Sequence, residues 1–594
     1  MSSAALPLQH VNGAPLNEEQ RNYLTGFFAG VAARGYRFSD VEPNPVAETN
    51  PSLDDLIFEE RVKRELHPLD AYPQLLENAA SNKSPDKEDL FRFKWNGLFY
   101  LTPNKEAFMA RLRIPGGVVK TFQLAEIARI AKELTTGYIQ ITTRANFQLR
   151  LIQPKDAPEV LRRIQSVGLH TRGAGADNIR NLTANPTAGI DPHEIIDVLP
   201  FCQELAQIII NDRSFYDLPR KFNIAFDGGG LIGTVEDTND LGVKAVLVNG
   251  EVFFRIALGG ATGHKAFARD LGVLVKPAEL NKVAVALTRV YIANGNRTDR
   301  KKARLKHLLE SWSLEKYLAE TEKLLGYSLQ RAPISSSSPS DESMNPESVG
   351  LLPLPVRRGE GRGEGFLSRG HTHIGVYPQK QKGLNYIGAA VPVGQISPKQ
   401  LQRVAEIADL YGSGEIRLTV WQNFIIPNVP ATYVETVCKA LRKIGFDTKQ
   451  SHIRNGFIAC TGNSYCKFAQ SNTKGHALAL ADYLDKKVAL DQPINIHLTG
   501  CPNSCAQHYM GDIGLLGTKN KGEESYHVFV GGGFGLNQAV GRQVFTNVPF
   551  AELPHTLEKM LKGYLRRRQP AETFYTFTQR HDLNNLQAIF SNDE

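Results

Sequence analysis

The chain repeats itself at a constant spacing. Residues 115–147 align with residues 392–424 at an offset of 277 and without a gap. Pro115 meets Pro392, Leu124 meets Leu401, Ala128 meets Ala405, Ala131 meets Ala408, Gly137 meets Gly414, and Asn146-Phe147 meets Asn423-Phe424. The offset holds as far as Gly168 and Gly445. After a shift of three, Ile179-Arg180-Asn181 meets Ile453-Arg454-Asn455, and residues 253–260 later resemble 526–533. Chance supplies scattered matches, but not one offset held across more than fifty residues. The expectation is two homologous halves related by a pseudo-two-fold repeat, 91–325 and 371–570.

Each half reads as alternating strands and helices. Leu124, Ile127, Ile130, Ala131 and Leu134 follow helical spacing, and Gly137 stops the helix. Ile139 and Ile141 alternate with polar residues as a half-buried strand does, and a second helix is expected over about 157–166, ended by Gly168. The fold class is therefore α+β (mixed α/β). Between the halves, 332–370 holds a serine run, several prolines and a Gly/Arg/Glu stretch, which cannot bury enough apolar surface to order itself. It is expected to be a disordered linker. Residues 1–90 are polar, with one helix expected around 18–33, and are expected to wrap onto the core. Residues 571–594 form a tail.

Composition excludes several classes. No run of about 18 uncharged apolar residues is present, so a membrane span is not expected. The start, MSSAALPLQH, lacks a secretory pattern. Lys plus Arg number 69 against 61 Asp plus Glu, a net +8, which suits an anionic ligand or an acidic partner. The densest basic patch, 297–306, reads as a solvated face, a docking surface or part of a pocket wall. No long basic tract calls for nucleic acid.

Of six cysteines, Cys202 and Cys438 read as buried free thiols, while Cys460, Cys466, Cys501 and Cys505 cluster late in the chain. That number and spacing do not suit a secreted disulfide scaffold and point to a metal site in a reducing compartment, the cytoplasm. The pattern is Cys460-x5-Cys466, then 34 residues, then Cys501-x3-Cys505. Zinc sites use closer pairs, so the spacing fits zinc poorly; a 4Fe–4S cluster, or four buried free thiols, are the other readings. Both pairs follow strand-like segments, and Gly462 and Gly500 permit tight turns.

The stretches CTGNSYC and TGCPNSC, with the two-fold repeat, resemble the sirohaem and 4Fe–4S nitrite and sulfite reductases. The resemblance covers both halves but not the linker. It implies that each half has a ferredoxin-like and a larger α/β part, with the cofactors at the junction. It further implies that Cys460, Cys466, Cys501 and Cys505 hold the cluster, with Cys505 bridging to the sirohaem iron.

The anionic substrate and the carboxylates of sirohaem both call for cations, guanidinium above all. The first half offers Arg111-Leu112-Arg113, then the run from Arg144 through Asn146 to Gln148, then Arg180, then Arg220-Lys221-Phe222-Asn223. By resemblance, Arg111, Arg180 and Lys221 face the open side of the iron. Arg144, Asn146, Gln148, Arg220 and Asn503 would hold the sirohaem, and Arg113 would join them. The repeat partners of Arg111 and Arg144 are Gly388 and Trp421, so one half keeps the anion pocket and the other the metal. Asn223 stands where sulfite reductases of this family usually have a second lysine, and one cation fewer suits monoanionic nitrite over sulfite. The implied reaction is six-electron reduction of nitrite to ammonia, with sulfite reduction as the alternative.

No G-x-G-x-x-G opens a helix of a strand–helix–strand unit, and the glycine runs at 228–230 and 531–533 lack that context, so no dinucleotide domain is evident and electrons must come from another protein. The resemblance points to ferredoxin. A non-catalytic iron–sulfur carrier or sensor would have no use for the basic pocket, and a zinc protein would be colourless. The internal repeat already supplies a pseudo-dimer, so a monomer is expected.

Overall fold

The computed structural model describes residues 10–11, 14–15, 18, 21, 53–100, 107–332 and 373–592. The chain divides into a short unit, 1–56, and a body, 57–594. In the short unit His10–Val11 pairs antiparallel with Ala14–Pro15. Of the expected helix 18–33, Glu18 and Arg21 are described and helical. The rest of it, and the expected linker beyond Ala332, lie outside the described residues.

The body is mixed α/β, and the duplication is visible in its sheets. One five-stranded sheet runs Gln395–Ile396, Ile139–Ile141, Phe147–Ile152, Phe108–Arg111 and Leu98–Phe99. The other runs Gly375–Pro378, Leu384–Ala389, Phe424–Pro430, Glu415–Leu418 and Val118–Lys120. Each sheet thus takes one strand from the opposite half. Val119 pairs with Ile416, and Ile396 pairs with Ile139. Adding the offset of 277 to Val119 gives Ile396, and subtracting it from Ile416 gives Ile139, so the exchange is reciprocal.

The exchange gives these sheets a joint core. The helices Thr121–Glu133 and Pro398–Tyr411 sit at repeat-related positions and bury Leu124, Ile127, Ile130 and Leu401, Val404, Ile407 in one apolar cluster. Gly117, at φ +74°, closes the join: a Cβ there would lie 2.6 Å from the Leu418 carbonyl oxygen. The expected helix near 157–166 is Ala157–Ser166.

Two larger sheets carry the same topology. In the first, Thr183–Ala184, Ile224–Asp227 and Leu241–Val248 run parallel, and Glu251–Leu258 and Arg269–Val275 add antiparallel strands. In the second, Phe457–Ala459, Ile496–Thr499 and Ile513–Asn520 run parallel, followed by antiparallel Glu523–Val530 and Arg542–Pro549. Each covers its own helices with a separate apolar core. Connections leave the carboxyl ends of the parallel strands, where ligand sites form in open sheets. Among the described residues no helix is long and apolar enough to cross a membrane.

Residues 57–100 pack onto the first half. The Trp95 indole donates to the Tyr216 carbonyl at 2.7 Å, and Lys63 donates to the Leu218 carbonyl at 3.2 Å. Buried Glu60 pairs with Lys63 and with Arg297, and both cations also reach Asp217. This network fixes the loop that leads to Arg220 and Lys221.

Candidate functional site

The four late cysteines come from two loops at the carboxyl ends of neighbouring parallel strands. Cys460 follows Phe457–Ala459, and Cys501 follows Ile496–Thr499. The Cys460 backbone amide donates to the Leu498 carbonyl at 3.0 Å, and the Gly500 amide donates to the Cys460 sulfur at 3.2 Å. Gly462, at φ +71°, makes the turn out of the first strand; a Cβ there would lie 2.8 Å from the Thr473 nitrogen. Ser504 and Gln507 take positive φ, +52° and +56°, on either side of Cys505, a strained conformation typical of functional loops.

All four thiols are free of disulfides. Charge on Cys460 and Cys466 is felt at both Cys501 and Cys505, so the four face a common space. Burial is the first cause that pushes the Cys501 thiol up, and the neighbouring Cys460 and Cys466 thiols add to it. Among the described residues no three His, Cys, Asp or Glu side chains converge tightly enough to grip one ion. Four thiols on two neighbouring loops are a donor set that a 4Fe–4S cluster takes.

The basic residues meet Cys505 from the other side. Cys505 is the leading charged group acting on Arg111 and also acts on Arg144 and Lys221. The Thr143 hydroxyl donates to the Cys505 carbonyl at 3.0 Å, which ties the loop before Arg144 to the thiol loop. Arg111 ends the strand Phe108–Arg111, lies over the Phe99 ring at 4.5 Å and donates to the Ala174 carbonyl at 3.3 Å. Arg180 forks onto the carbonyls of Ala174 at 2.6 Å and Ala176 at 2.8 Å. Arg144 donates to the Asn239 side chain at 2.9 Å.

None of Arg111, Arg144, Arg180 and Lys221 has a carboxylate within ion-pair distance among the described residues. Burial pushes Arg111 and Arg144 down to about 10, and pushes Arg180 well down with help from Arg111 and Arg220. Lys221 is also lowered, first by burial and then by Arg304. Half-buried cations that repel one another favour a counter-charge among them.

The other expected residues divide into two groups. Arg220 lies 3.6 Å from Asp177 and is half-exposed, and Asn503 is exposed on the thiol loop. Asn223 is buried; its amide nitrogen donates to Asp240 at 2.9 Å, and its side chain makes no hydrogen bond among the described residues. Arg113 and Asn146 also brace the wall, and Nη1 of Arg113 is left without a partner. Arg113 bonds the carbonyls of Arg172, Gly173 and Ile179, and Asn146 bonds the Leu112 carbonyl and the Thr142 hydroxyl. Gln148 accepts from Arg150 at 2.5 Å.

Sequence reasoning missed the anions that frame the pocket. Asp240, fully buried, takes Arg304 through both oxygens at 2.8 Å. Asp177, also fully buried, takes Arg300 at 2.6 and 2.7 Å. The patch 297–306 is therefore not a solvated face: Arg297, Arg300 and Arg304 are ion-paired struts behind Arg220 and Lys221, on a short turn ahead of the helix Leu305–Ser311. Asp177 adjoins the Asn178-Ile179-Arg180 motif, the one signal that could have found it.

Known families match this arrangement. A nitrite and sulphite reductase 4Fe-4S domain matches residues 175–329 and 451–593, and a nitrite/sulfite reductase ferredoxin-like half domain matches 100–167 and 377–444. The chain belongs to the nitrite and sulphite reductase family. Within this family, the ferredoxin–nitrite reductase of Synechococcus elongatus is 35% identical over 79% of this chain and 88% of that protein. The chloroplastic ferredoxin–nitrite reductase of Spinacia oleracea is 33% identical over 82% of this chain and 81% of its own length. The solved structure of the Mycobacterium tuberculosis NirA protein superposes with a TM-score of 0.79 at 28% identity, covering 89% of this chain and 97% of that one. The half-domain matches fall on the two strand-exchanged sheets, and the 4Fe-4S domain matches fall on the two larger ones. Only the second larger sheet carries the four thiols, so the duplicated scaffold of this family is used asymmetrically here.

Proposed function

We propose that the chain is an assimilatory nitrite reductase, a cytoplasmic monomer that reduces nitrite to ammonia with electrons from ferredoxin. One observation carries this reading: half-buried Arg111, Arg144, Arg180 and Lys221 crowd the space beside Cys505 without carboxylate partners among the described residues. Such a site requires anions, and a polycarboxylate cofactor with an anionic substrate supplies them. The kinship with ferredoxin–nitrite reductases supports the same assignment.

Four thiolates suit a 4Fe–4S cluster, and Cys505, the one exposed thiol of the four, suits a ligand shared with the sirohaem iron. When bound, the two groups supply an iron that takes the anion and a one-electron relay to it. Arg144, Arg220 and Asn503 offer donors for the cofactor's carboxylates, with Gln148 alongside. Arg113 and Asn146 hold the shape of that wall.

Arg111, Arg180 and Lys221 bind nitrite. Nitrite, eight protons and six electrons give ammonium and two waters, so each departing oxygen must collect protons. Arg180 keeps its guanidinium in place through two backbone carbonyls and stabilises charge on the oxygens without rearranging. Lys221 is the proton donor of the set, because burial weakens its hold on the proton, which a guanidinium does not readily release. Asn223 offers a neutral amide donor where a second lysine would favour a dianion.

The test is reduction of nitrite and of sulfite side by side with reduced ferredoxin, on protein purified without oxygen. A much higher kcat/KM on nitrite is expected. Faster turnover of sulfite would overturn the substrate assignment and the part given to Asn223.

A further inference from the structure

Two buried cations outside the anion pocket flank the first cysteine loop. Arg150, on the strand Phe147–Ile152, is 4% exposed and donates to Gln140 at 3.1 Å, to Gln148 at 2.5 Å and to the Thr461 hydroxyl at 2.6 Å. It also lies 5.6 Å from the centre of the Tyr465 ring, between the two cysteines of that loop. Lys474 is 3% exposed and donates to the carbonyls of Val393 and Ala459. Neither has a carboxylate partner among the described residues. The groups that most favour the charge on Arg150 are Tyr138, Cys466, Tyr465 and Cys460. For Lys474 the one such group is Cys460.

The placement of Lys474 is unfavourable on two further counts. It is the second residue of the helix Thr473–Lys487, where the backbone dipole is positive and a cation is the wrong charge. Arg150 is near enough to repel it. A lysine held in a dry site, at the positive end of a helix and beside an arginine, needs a compensating anion. Among the described residues the candidate within reach is the thiol of Cys460 on the cluster loop.

We propose that Lys474 and Arg150 set the reduction potential of the centre held by Cys460, Cys466, Cys501 and Cys505, as fixed buried positive charge that favours its reduced form. This rests on the reading of the four thiols as cluster ligands. One electron enters and no proton is required, so the centre gains one negative charge on reduction. Net charge, burial and hydrogen bonds to sulfur govern such potentials. Lys474 and Arg150 contribute the charge, and the Gly500 amide on the Cys460 sulfur contributes the hydrogen bond. Both residues are positioning residues that touch neither substrate nor reacting atoms.

The test is a redox titration of the holoenzyme followed by electron paramagnetic resonance of the reduced cluster, with iron and acid-labile sulfide counted per chain. In Lys474→Met the midpoint should fall so that the reduced-to-oxidised ratio at a fixed potential drops at least tenfold, about 59 mV for one electron. Lys474→Arg should keep the wild-type midpoint. Arg150→Gln provides a second position should Lys474→Met fail to fold, and its midpoint should fall as well. Fully loaded Lys474→Met or Arg150→Gln with an unchanged midpoint would overturn the proposal, as would Lys474→Arg shifting as far as Lys474→Met. Wild-type protein without four irons per chain would overturn the cluster reading itself, which the metal count registers separately.

Discussion

Lys221 should be a residue that the fold would be better without. It is half-buried, carries no ion-pair partner among the described residues, and is surrounded by Arg304, Arg180 and Arg220, all of which oppose its charge. Lys221→Met keeps the length of the side chain and removes the charge. Solvent screens part of that repulsion, so cofactor-free Lys221→Met should unfold at a slightly higher temperature than cofactor-free wild type. Activity should move oppositely. A hydrogen bond from a charged donor contributes about 1.5–3 kcal/mol, and 1.4 kcal/mol is tenfold, so kcat/KM for nitrite should fall roughly ten- to a hundredfold per loaded active site. Melting of the cofactor-free protein and steady-state nitrite reduction normalised to iron content would measure both. A cofactor-free variant that melts lower than wild type would show that Lys221 is compensated within the protein. Loaded variant with full activity would remove Lys221 from the site.

Three other predictions test the frame of the pocket. Asn223→Lys adds a cation beside Lys221 and should raise the ratio of sulfite to nitrite kcat/KM at least tenfold in side-by-side assays, because sulfite carries more charge. Asp240→Asn should destabilise by about 3–5 kcal/mol by leaving buried Arg304 unpaired, whereas Asp240→Asn with Arg304→Met should recover most of that loss in thermal unfolding; strict additivity would refute the pairing. His497 is buried, donates from Nδ1 to the Gln507 carbonyl at 3.2 Å, and is pushed by burial down to about 4. Its folded pKa lies below the usual 6.5, so the unfolded chain takes up the proton first and stability falls as pH drops from about 6.5 to about 4. The slope for one such group is about 1.4 kcal/mol per pH unit, and His497→Phe should flatten the urea-unfolding profile across that window.

What could be read from the sequence followed from local spacing. The repeat offset, the helices near 121–133 and 157–166, and the strands before each cysteine pair depend on residues a few positions apart, and they are found where expected. The reciprocal strand exchange was not legible, because Val119 meets Ile416 across 297 residues and nothing in either strand marks an intermolecular-like partner. The same limit hid the struts. Arg304 finds Asp240 from 64 residues away, Arg300 finds Asp177 from 123, and Arg150 reaches Thr461 from 311. A basic run reads as solvated until its carboxylates are known. For Arg113 and Asn146 the spacing placed both in motifs that face the pocket but did not reveal that they also bond the wall's own carbonyls.

The exchange also explains how a pocket lined by one half stays aligned with metal ligands on the other. Strand Val118–Lys120, just after Arg111 and Arg113, is a strand of the second half's sheet, and Gln395–Ile396 is a strand of the first half's. Neither sheet can slide without breaking the other. Around the thiols, further bonds cross the same boundary: Thr143 to Cys505, Arg150 to Thr461, Gln507 to Thr238 at 3.1 Å, and Gly535 and Gln538 to Asp237 at 2.8 and 3.0 Å. A six-electron reduction requires the same cations to serve successive states whose charge changes at each step, and rigid donors meet such changes at little reorganisation cost. Duplication supplied two equivalent faces. Arg144 on one and Trp421 on the other, at matching positions, show what became of them. Trp421 is buried against His497 and Phe534 and fills its side with rings, so that the open, charged space exists once, beside Cys505.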